Sequence, residues 1–281
     1  MFKTVGVVGR VDRKQALQLA AKIVNALEAR KLRIRLELRL AKHLKKTNFA
    51  TPLEKMKTDL IITIGGDGTI LRACLQLPKP EPPILAINMG ARGFLAEVSP
   101  AEALKALDKT LRGNYRLEHT TKLAAYVGKT RLPDALNEVS IASLAPAKLL
   151  SMRIWKDNEL VGECQSDGAV VASQTGSTGY SLSAGGPVID PSVQAFVFTP
   201  IAPLTVFHPI VFSANSTIHI ELTRPKKAVV VVDGHFLAET TAELSRITVT
   251  KSEYESSFVR FKGDFYRRLK SRLLFSKGRA R

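Results

Sequence analysis

The segment Gly-Gly-Asp-Gly-Thr at residues 65–69 places a carboxylate among three glycines, directly after a strand-length apolar run at residues 59–64. Glycines let a backbone approach a phosphate closely, and the first N–H groups of a following helix form an anion site. Asp67 would then lie at the carboxyl end of a sheet strand, where open α/β proteins bind ligands. A carboxylate there can accept a hydroxyl proton or hold Mg²⁺ against phosphates, whereas in a plain tight turn it would make only local hydrogen bonds.

A second polar segment follows Asp167-Gly168 and the apolar run at residues 169–172. Residues 175–187 read Thr-Gly-Ser-Thr-Gly-Tyr-Ser-Leu-Ser-Ala-Gly-Gly-Pro, which is too polar and too small for a core helix. Such a backbone can wrap closely around a polar ligand, with hydroxyls for ribose and phosphate and a ring for stacking. The alternative is a flexible linker, but the prolines at 187 and 191 and the flanking strands argue against it.

Three further motifs carry little information by themselves. Residues 88–95 contain two glycines after a buried strand and fit an ordinary loop. Asn137-Glu138 could bind ribose hydroxyls or form a surface turn. Asp233-Gly234 ends an apolar strand and is also a favoured hairpin pair. No two histidines have metal-ligand spacing, so the sequence predicts no zinc site and leaves any metal ligands unknown.

The elements that would position these motifs change in type along the chain. Up to about residue 115, strand and helix patterns alternate, which indicates an open, mostly parallel α/β sheet. Beyond it, short strand patterns separated by turn residues predominate. Helical spacing returns at residues 265–275, and this helix needs a face to cover. We therefore expect an α/β domain formed by residues 1–115 plus 262–281, which carries the loop at 65–69, and a β-rich domain at residues 116–261.

The composition restricts the partners. The formal charge of +17 favours anionic partners such as phosphorylated small molecules, polyphosphate or nucleic acid. Aromatic residues make up only 6% of the chain, which argues against nucleic acid because stacking platforms would be scarce. No apolar run approaches the roughly 20 residues of a membrane span. Cys74 and Cys164 lack redox or metal spacing, and the N-terminus reads as a strand, so we expect a cytoplasmic protein without a membrane partner.

Taken in order, these motifs resemble the NAD kinase family over nearly the whole chain. The loop at 65–69 is shared with diacylglycerol and sphingosine kinases and in part with phosphofructokinases, so it indicates only a superfamily. The stretch at residues 175–180, together with Asn137-Glu138, points to NAD. The resemblance implies an N-terminal α/β domain, a β-sandwich-like C-terminal domain, a last helix that returns to the first domain, and a homodimer or homotetramer whose sites can include residues of a neighbouring subunit.

The resemblance also implies residue roles. Asp67 would be the catalytic carboxylate near the adenosine-ribose 2′-hydroxyl. The residues assigned to NAD are Asn137 and Glu138 for the adenosine part, Thr178, Tyr180 and Ser183 for the adenine pocket, Asp167 and Ala202 for the nicotinamide end, and also Thr175 and Asp233. The residues assigned to the phosphoryl donor are Gly66, Gly68, Thr69 and Arg72.

The sequence departs from the family pattern twice. Gln174 stands where the family usually has proline, and Gly179 where it usually has alanine, so we expect a less rigid loop and altered nucleotide affinity. The resulting hypothesis is an NAD kinase that uses Mg²⁺, or another divalent cation, and a nucleoside triphosphate such as ATP, or polyphosphate. The alternatives are a lipid kinase of the diacylglycerol or sphingosine type and a non-catalytic nucleotide-binding protein. The identity of the donor, the use of NADH and the number of subunits stay open.

Overall fold

The computed structural model describes residues 2–90, 93–145, 147–263 and 265–270. Within it the chain divides into two compact units, residues 1–119 with 256–281, and residues 120–255. No helix in the described ranges combines the length and apolar character that a membrane crossing needs.

The first unit contains a parallel sheet of buried, β-branched strands. Its strands in chain order are β1 (Thr4–Gly9), β2 (Arg33–Glu37), β3 (Ala50–Thr51), β4 (Leu60–Gly65) and β5 (Ile84–Asn88). They lie in the order β5-β4-β1-β2-β3, and every pairing between them is parallel. β4 is buried at all six positions, which explains its continuous apolar run, because strands covered on both faces need no polar alternation.

Four helices cover this sheet: α1 (Lys14–Ala29), α2 (Leu38–His43), α3 (Asp67–Gln76) and α4 (Ala103–Leu111). α1 buries one stripe, including Leu19, Ile23 and Leu27, in the same core as β1 and β4. Because β1, β2, β4 and β5 run in one direction, the segments that follow them meet at one edge of the sheet. That edge therefore contains Arg10, α2, the loop at 65–69 and residues 88–90.

The second unit is built from antiparallel sheets. Its strands are β6 (Arg116–Val127), β7 (Thr130–Arg131), β8 (Glu138–Ser143), β9 (Leu150–Lys156), β10 (Glu159–Ser166), β11 (Gly168–Ala172), β12 (Ala195–Ile201), β13 (Ile210–Ser213), β14 (Ile218–Arg224), β15 (Ala228–Val232), β16 (Phe236–Glu239) and β17 (Arg246–Arg260). One sheet has the order β13-β12-β11-β8-β15-β16. The other joins β10, β9, β14 and the first part of β17, with β6 and β7 beside them. The predicted fold class, an α/β unit with a parallel sheet and a β-rich unit, is confirmed.

The described residues from 256 to 270 belong to the first unit. Phe258 at the end of β17 pairs with Ile84 of β5. After α5 (Tyr180–Ser183) in the second unit, the next helix in the described residues is α6 (Phe265–Leu269), and the Phe265 ring lies 6.4 Å from that of Phe94. Leu269 is buried. The expected continuation to residue 275 lies outside the described residues.

Several predicted elements differ in detail. The alternation of apolar and charged residues at 33–39 predicts one strand, but β2 ends at Glu37 because Leu40 and Ala41 are buried on α2. Helical spacing predicts a helix from residue 70, but α3 begins at Asp67, with Gly66 as its N-cap. The patterns at 246–250 and 257–261 predict two strands, but they form one long strand, β17. The strands that the sequence patterns did not predict include β8, β10, β13 and β16.

Candidate active site

The Asp67 carboxylate is held by the backbone of a second loop. The Phe94 N–H donates to Oδ2 at 2.7 Å and the Leu95 N–H donates to Oδ1 at 3.2 Å. Only glycine fits at position 93, because a Cβ there would lie 2.6 Å from Asp67 Oδ1. Residues 93–95, which belong to a motif that is weak by itself, therefore orient the predicted catalytic carboxylate.

The glycines around Asp67 play two different parts. A Cβ on Gly65 would lie 2.1 Å from Thr69 Oγ1, so Gly65 allows the first turn of α3 to close over the end of β4. Around Gly66 and Gly68, an added Cβ would meet nothing within 4 Å. These two positions therefore face open space, so a ligand can approach the backbone closely there.

A pocket of about 300 Å³ opens beside this loop, and three arginines line it. Its lining residues are Gly9, Arg10, Val11, Asp12, Arg39, Gly68, Thr69 and Arg72. The N-terminus of α3 contributes Gly68 and Thr69, and the partial positive charge of a helix N-terminus adds to that of the arginines. The pocket thus concentrates positive charge where the sequence predicts the phosphoryl donor.

The three arginines are in different states. The Arg72 guanidinium makes two hydrogen bonds to the buried Glu37 carboxylate, which fixes its plane, and Nη2 contributes one of them at 3.0 Å. The Arg10 Nε donates to Asp12 Oδ1 at 2.7 Å, and this contact lowers the pKa of Asp12 to about 2. Arg39 is exposed and has no ion-pair partner within the described ranges.

Arg10 and Arg39 are not among the residues that the sequence predicts for the donor site. The signal was available in part, because Arg10 directly follows β1 and Arg39 comes two residues after β2. Their meeting with the loop at 65–69 depends on the strand order β4-β1-β2, which the sequence does not state.

In the second unit, a buried carboxylate holds the segment that carries Asn137 and Glu138. Asp233 accepts hydrogen bonds from the N–H groups of Leu136 at 2.7 Å, Asn137 at 2.8 Å and Glu138 at 3.0 Å. Asp233 also forms the predicted hairpin turn between β15 and β16, with φ of +49° followed by +68° at Gly234. The two interpretations of Asp-Gly, a turn and a site residue, are therefore compatible.

The polar loop after β11 packs against the other side of the same segment. Ser173 donates through its N–H to the Asn137 carbonyl at 2.8 Å and through Oγ to the Leu136 carbonyl at 2.6 Å. A Cβ on Gly176 would lie 2.0 Å from the Asn137 oxygen, so glycine permits this approach. The structure thus brings together three motifs that are separated along the chain.

Three buried acceptors at this junction have no hydrogen-bond partner among the described residues: Asn137 Oδ1, Glu138 Oε2 and Gln174 Oε1. Unpaired buried acceptors are costly, so a ligand that donates hydrogen bonds would be stabilised here. Burial, and secondarily the negative charge of Asp233, raises the pKa of Glu138 to about 8.

The two departures from the family pattern lie at this junction. A Cβ on Gly179 would come within 3.3 Å of Glu138 Oε2, so the missing methyl leaves room beside this oxygen. Gln174 is buried, and its Nε2 donates to the Pro191 carbonyl at 3.2 Å. This hydrogen bond holds the first part of the loop in place. At the same position, a proline would have done so by restricting the backbone.

The remaining predicted residues divide between the two ends of β11. Thr175 and Thr178 flank a short 3₁₀ turn at the carboxyl end, and Thr178 Oγ1 donates to the Thr175 carbonyl at 3.2 Å. Tyr180 and Ser183 bound α5 (Tyr180–Ser183), and the Tyr180 ring is 45% exposed, which leaves a face for stacking.

Asp167 and Ala202 lie at the other end of β11. The Asp167 N–H donates to the Ile201 carbonyl at 3.0 Å. Asp167 and Ala202 are both exposed. At about 3.3 Å per residue, the five residues of β11 separate this pair from Glu138 by roughly 13–17 Å. The structure therefore places the residues predicted for the two parts of NAD at opposite ends of one strand.

In the described part of the chain, no three His, Cys, Asp or Glu side chains form a group that could hold a metal ion. A magnesium ion does not require such a group, because it commonly keeps several waters and binds through one or two carboxylates plus substrate phosphates. Asp67 directly precedes two residues that line the arginine-containing pocket. It therefore suits a magnesium ion that binds together with the phosphates of the donor.

The chain matches two family models. The ATP-NAD kinase N-terminal domain matches residues 5–115, and the ATP-NAD kinase C-terminal domain matches residues 136–261. The curated NAD kinase of Methanothermobacter thermautotrophicus is 40% identical over 273 residues, which cover 96% of each chain. The NAD kinase of Pyrococcus abyssi is 39% identical over 265 residues, which cover 93% of this chain and 95% of that one.

Two solved structures are also similar. The NAD kinase from Archaeoglobus fulgidus in complex with ATP superimposes with a TM-score of 0.78 at 31% identity, over 95% of this chain and 97% of the other. Yeast NADH kinase complexed with NADH gives a TM-score of 0.89 over 99% of this chain and 89% of the other. At 23% identity, the yeast protein shows the shared fold only.

Proposed function

The chain belongs to the NAD kinase family, whose members are phosphotransferases, and we propose that Asp67 is the residue at which it phosphorylates the adenosine-ribose 2′-hydroxyl of NAD. The observation that supports this most directly is the orientation of Asp67. Two backbone N–H groups orient its carboxylate, and the next two residues, Gly68 and Thr69, line the pocket that contains the arginines. A proton acceptor next to a polyanion site is the combination that this reaction needs.

In the proposed reaction, the ribose 2′-oxygen forms a bond to the terminal phosphorus of the donor while the bond to the bridging oxygen breaks. Asp67 accepts the hydroxyl proton, and the leaving phosphate keeps the electron pair of the broken bond. Because the transition state is loose and highly charged, the position of the groups and the stabilisation of charge contribute more than a strong base.

The arginine pocket supports a triphosphate or polyphosphate donor. Gly66, Gly68 and Thr69 would present backbone N–H groups and the N-terminus of α3 to the phosphates. Arg72 would present a guanidinium whose plane is fixed by Glu37. Arg39 adds an exposed positive group without an ion-pair partner in the described ranges, and Arg10 adds a guanidinium that is paired with Asp12. The related Archaeoglobus structure contains ATP, which supports ATP as the donor. A magnesium ion bound with these phosphates would spread their negative charge, with Asp67 as the protein carboxylate beside it.

The unpaired acceptors support NAD binding in the second unit. Ribose hydroxyls and the adenine amino group are hydrogen-bond donors, and Asn137 and Glu138 offer acceptors that lack a protein partner. Thr175, Thr178, Tyr180 and Ser183 would surround the adenine. Asp167 and Ala202, at the far end of β11, would serve the nicotinamide end.

We also propose a cytoplasmic homodimer or homotetramer without a nucleic-acid partner. Cys74 and Cys164 are buried free thiols, which fits a reducing compartment. Several large apolar side chains are exposed in the second unit, including Leu237 at 66%, which fits a subunit contact. Light scattering during size-exclusion chromatography would give the subunit number.

The test of the function is a coupled assay. The protein is incubated with NAD, Mg²⁺ and either ATP or polyphosphate, and NADP is detected with an NADP-specific dehydrogenase. Formation of NADP with at least one donor is the expected result. Phosphorylation of diacylglycerol or sphingosine without NADP formation would support the lipid kinase instead, and binding of NAD without turnover would support a non-catalytic protein.

A further inference from the structure

We propose that Asp233 is a positioning residue for the nucleotide site, because its carboxylate fixes the backbone that presents Asn137 and Glu138 to NAD. This inference rests on the proposed function of that site. Asp233 would not touch the substrate. It would act by holding three consecutive N–H groups of a segment that lies almost a hundred residues earlier in the chain.

The hydrogen bonds give Asp233 this role because the N–H groups of Leu136 and Asn137 have no other acceptor among the described residues. β8 begins only at Glu138, so the N–H groups of Leu136 and Asn137 precede the strand. Oδ2 takes the first of them and Oδ1 takes the other two. The Asp233 N–H returns a bond to the Glu138 carbonyl at 3.0 Å, which locks the turn and the segment together.

The three N–H donors, and not the turn, explain why the residue is Asp and not Asn. A hairpin turn with two positive φ angles accepts Asn-Gly as readily as Asp-Gly. The side chain at 233, however, is only 3% exposed and faces three N–H donors. A carboxylate offers acceptors on both oxygens, whereas an amide would turn an NH₂ group toward one of these donors. The hairpin alone does not require a carboxylate, but the segment at 136–138 does.

Burial raises the pKa of the Asp233 carboxyl, whereas its hydrogen bonds with the segment and, after them, the positive charge of Lys122 act in the opposite direction. Lys122 is itself fully buried in the same unit. Without such partners a buried carboxylate would be strongly disfavoured. Four hydrogen bonds thus join the turn to the segment that carries Asn137 and Glu138.

The test compares Asp233→Asn with Thr240→Val. Thr240 lies just beyond β16, is buried, and accepts a hydrogen bond from the Ala228 N–H at 2.7 Å, so its replacement weakens the other end of the same hairpin. We expect Asp233→Asn to raise KM for NAD about tenfold, the loss expected when a backbone N–H loses a charged acceptor. KM for ATP should change less than about twofold, because the donor residues are in the other unit. Thr240→Val should lower Tm without changing KM for NAD.

The inference is overturned if the wild-type protein makes NADP and Asp233→Asn lowers Tm but leaves KM for NAD at the wild-type value. Absence of NADP with the wild-type protein would instead contradict the proposed function. If Asp233→Asn does not fold, amide hydrogen exchange in the wild-type protein provides the test. The N–H groups of residues 136–138 should exchange slowly even without NAD, and fast exchange that slows only when NAD is added would overturn the inference.

Discussion

Two backbone N–H groups donate hydrogen bonds to the Asp67 carboxylate and so fix the orientation of that carboxylate. A small displacement of a reacting group can cost orders of magnitude in rate, because phosphoryl transfer depends on alignment. Gly93 contributes to this orientation, because its backbone lies so close to the Asp67 carboxylate that a side chain at position 93 would collide with it.

Replacement of Gly93 by alanine should therefore impair catalysis without removing any functional group. The new Cβ would lie 2.6 Å from Asp67 Oδ1, so the carboxylate or the loop must move. We expect kcat to fall at least about tenfold while KM for NAD stays close to the wild-type value. Steady-state kinetics would check this.

Gly263→Ala is the matched control, because the nearest atom to its added Cβ is 3.8 Å away on a flexible arginine side chain. Its kinetics should match those of the wild-type protein. Wild-type kcat in Gly93→Ala would contradict the role assigned to the loop at 88–95.

Glu138 links the nucleotide site to stability. Its pKa rises from an ordinary 4.5 to about 8, first because the side chain is buried and second because Asp233 is negative. Between these pH values the folded protein keeps a proton that the unfolded chain has lost. The free energy of unfolding should therefore fall as the pH rises through this window, by at most about 1.4 kcal/mol per pH unit for one proton.

Glu138→Gln should remove this contribution, because glutamine does not ionise. Urea unfolding at about pH 5 and about pH 8 should show the stability difference, variant minus wild type, increasing with pH. Glu159→Gln, at an exposed position on β10, is the control and should leave the pH dependence unchanged. A constant difference between Glu138→Gln and wild type across this window would contradict the raised pKa.

At the scale of elements, the order of the parallel strands assembles the donor pocket. β4 supplies the glycine loop, while β1 and β2 deliver Arg10 and Arg39 to the same edge. Apolar runs predicted β1, β4 and β5 correctly, because strands buried on both faces leave a continuous signal. β8 and β10 escaped prediction because each carries polar residues at most positions of one face.

Some parts of the candidate site could be predicted from the sequence and others could not. Loops that directly follow buried strands, such as the one that carries Asp67, are predictable because the end of the strand fixes their place. The pairing of Asp233 with residues 136–138 is not, because antiparallel strands 95 residues apart in sequence produce it. No spacing rule connects such distant positions.

Arg39→Ala should weaken donor binding. The side chain is exposed, lines the pocket beside Gly68 and has no ion-pair partner in the described ranges, so its charge is available to the phosphates. We expect KM for ATP to rise about five- to tenfold, the value of one charge-assisted contact, with KM for NAD unchanged. Arg35→Ala removes an equal charge from an exposed position of β2 outside the pocket and should have little effect. Equal effects of the two substitutions would indicate a general charge effect instead.

At the scale of the whole molecule, the charge of +17 favours the approach of NAD and of the donor, since both are anions. Bulk charge does not choose between a kinase and a protein that only binds nucleotides. That choice depends on Asp67, because arginines and hydroxyl loops serve binding as well as catalysis.

The most direct measurement is single-turnover phosphorylation of NAD by Asp67→Asn, with NAD and ATP at saturating concentrations. Asparagine keeps the size of the side chain and an acceptor for one of the two N–H groups of residues 94 and 95, but it cannot take up the hydroxyl proton. We predict a rate roughly 10²–10⁴ lower than wild type, with NAD affinity retained. A single-turnover rate close to that of the wild-type protein would contradict the assignment of Asp67 as the catalytic carboxylate.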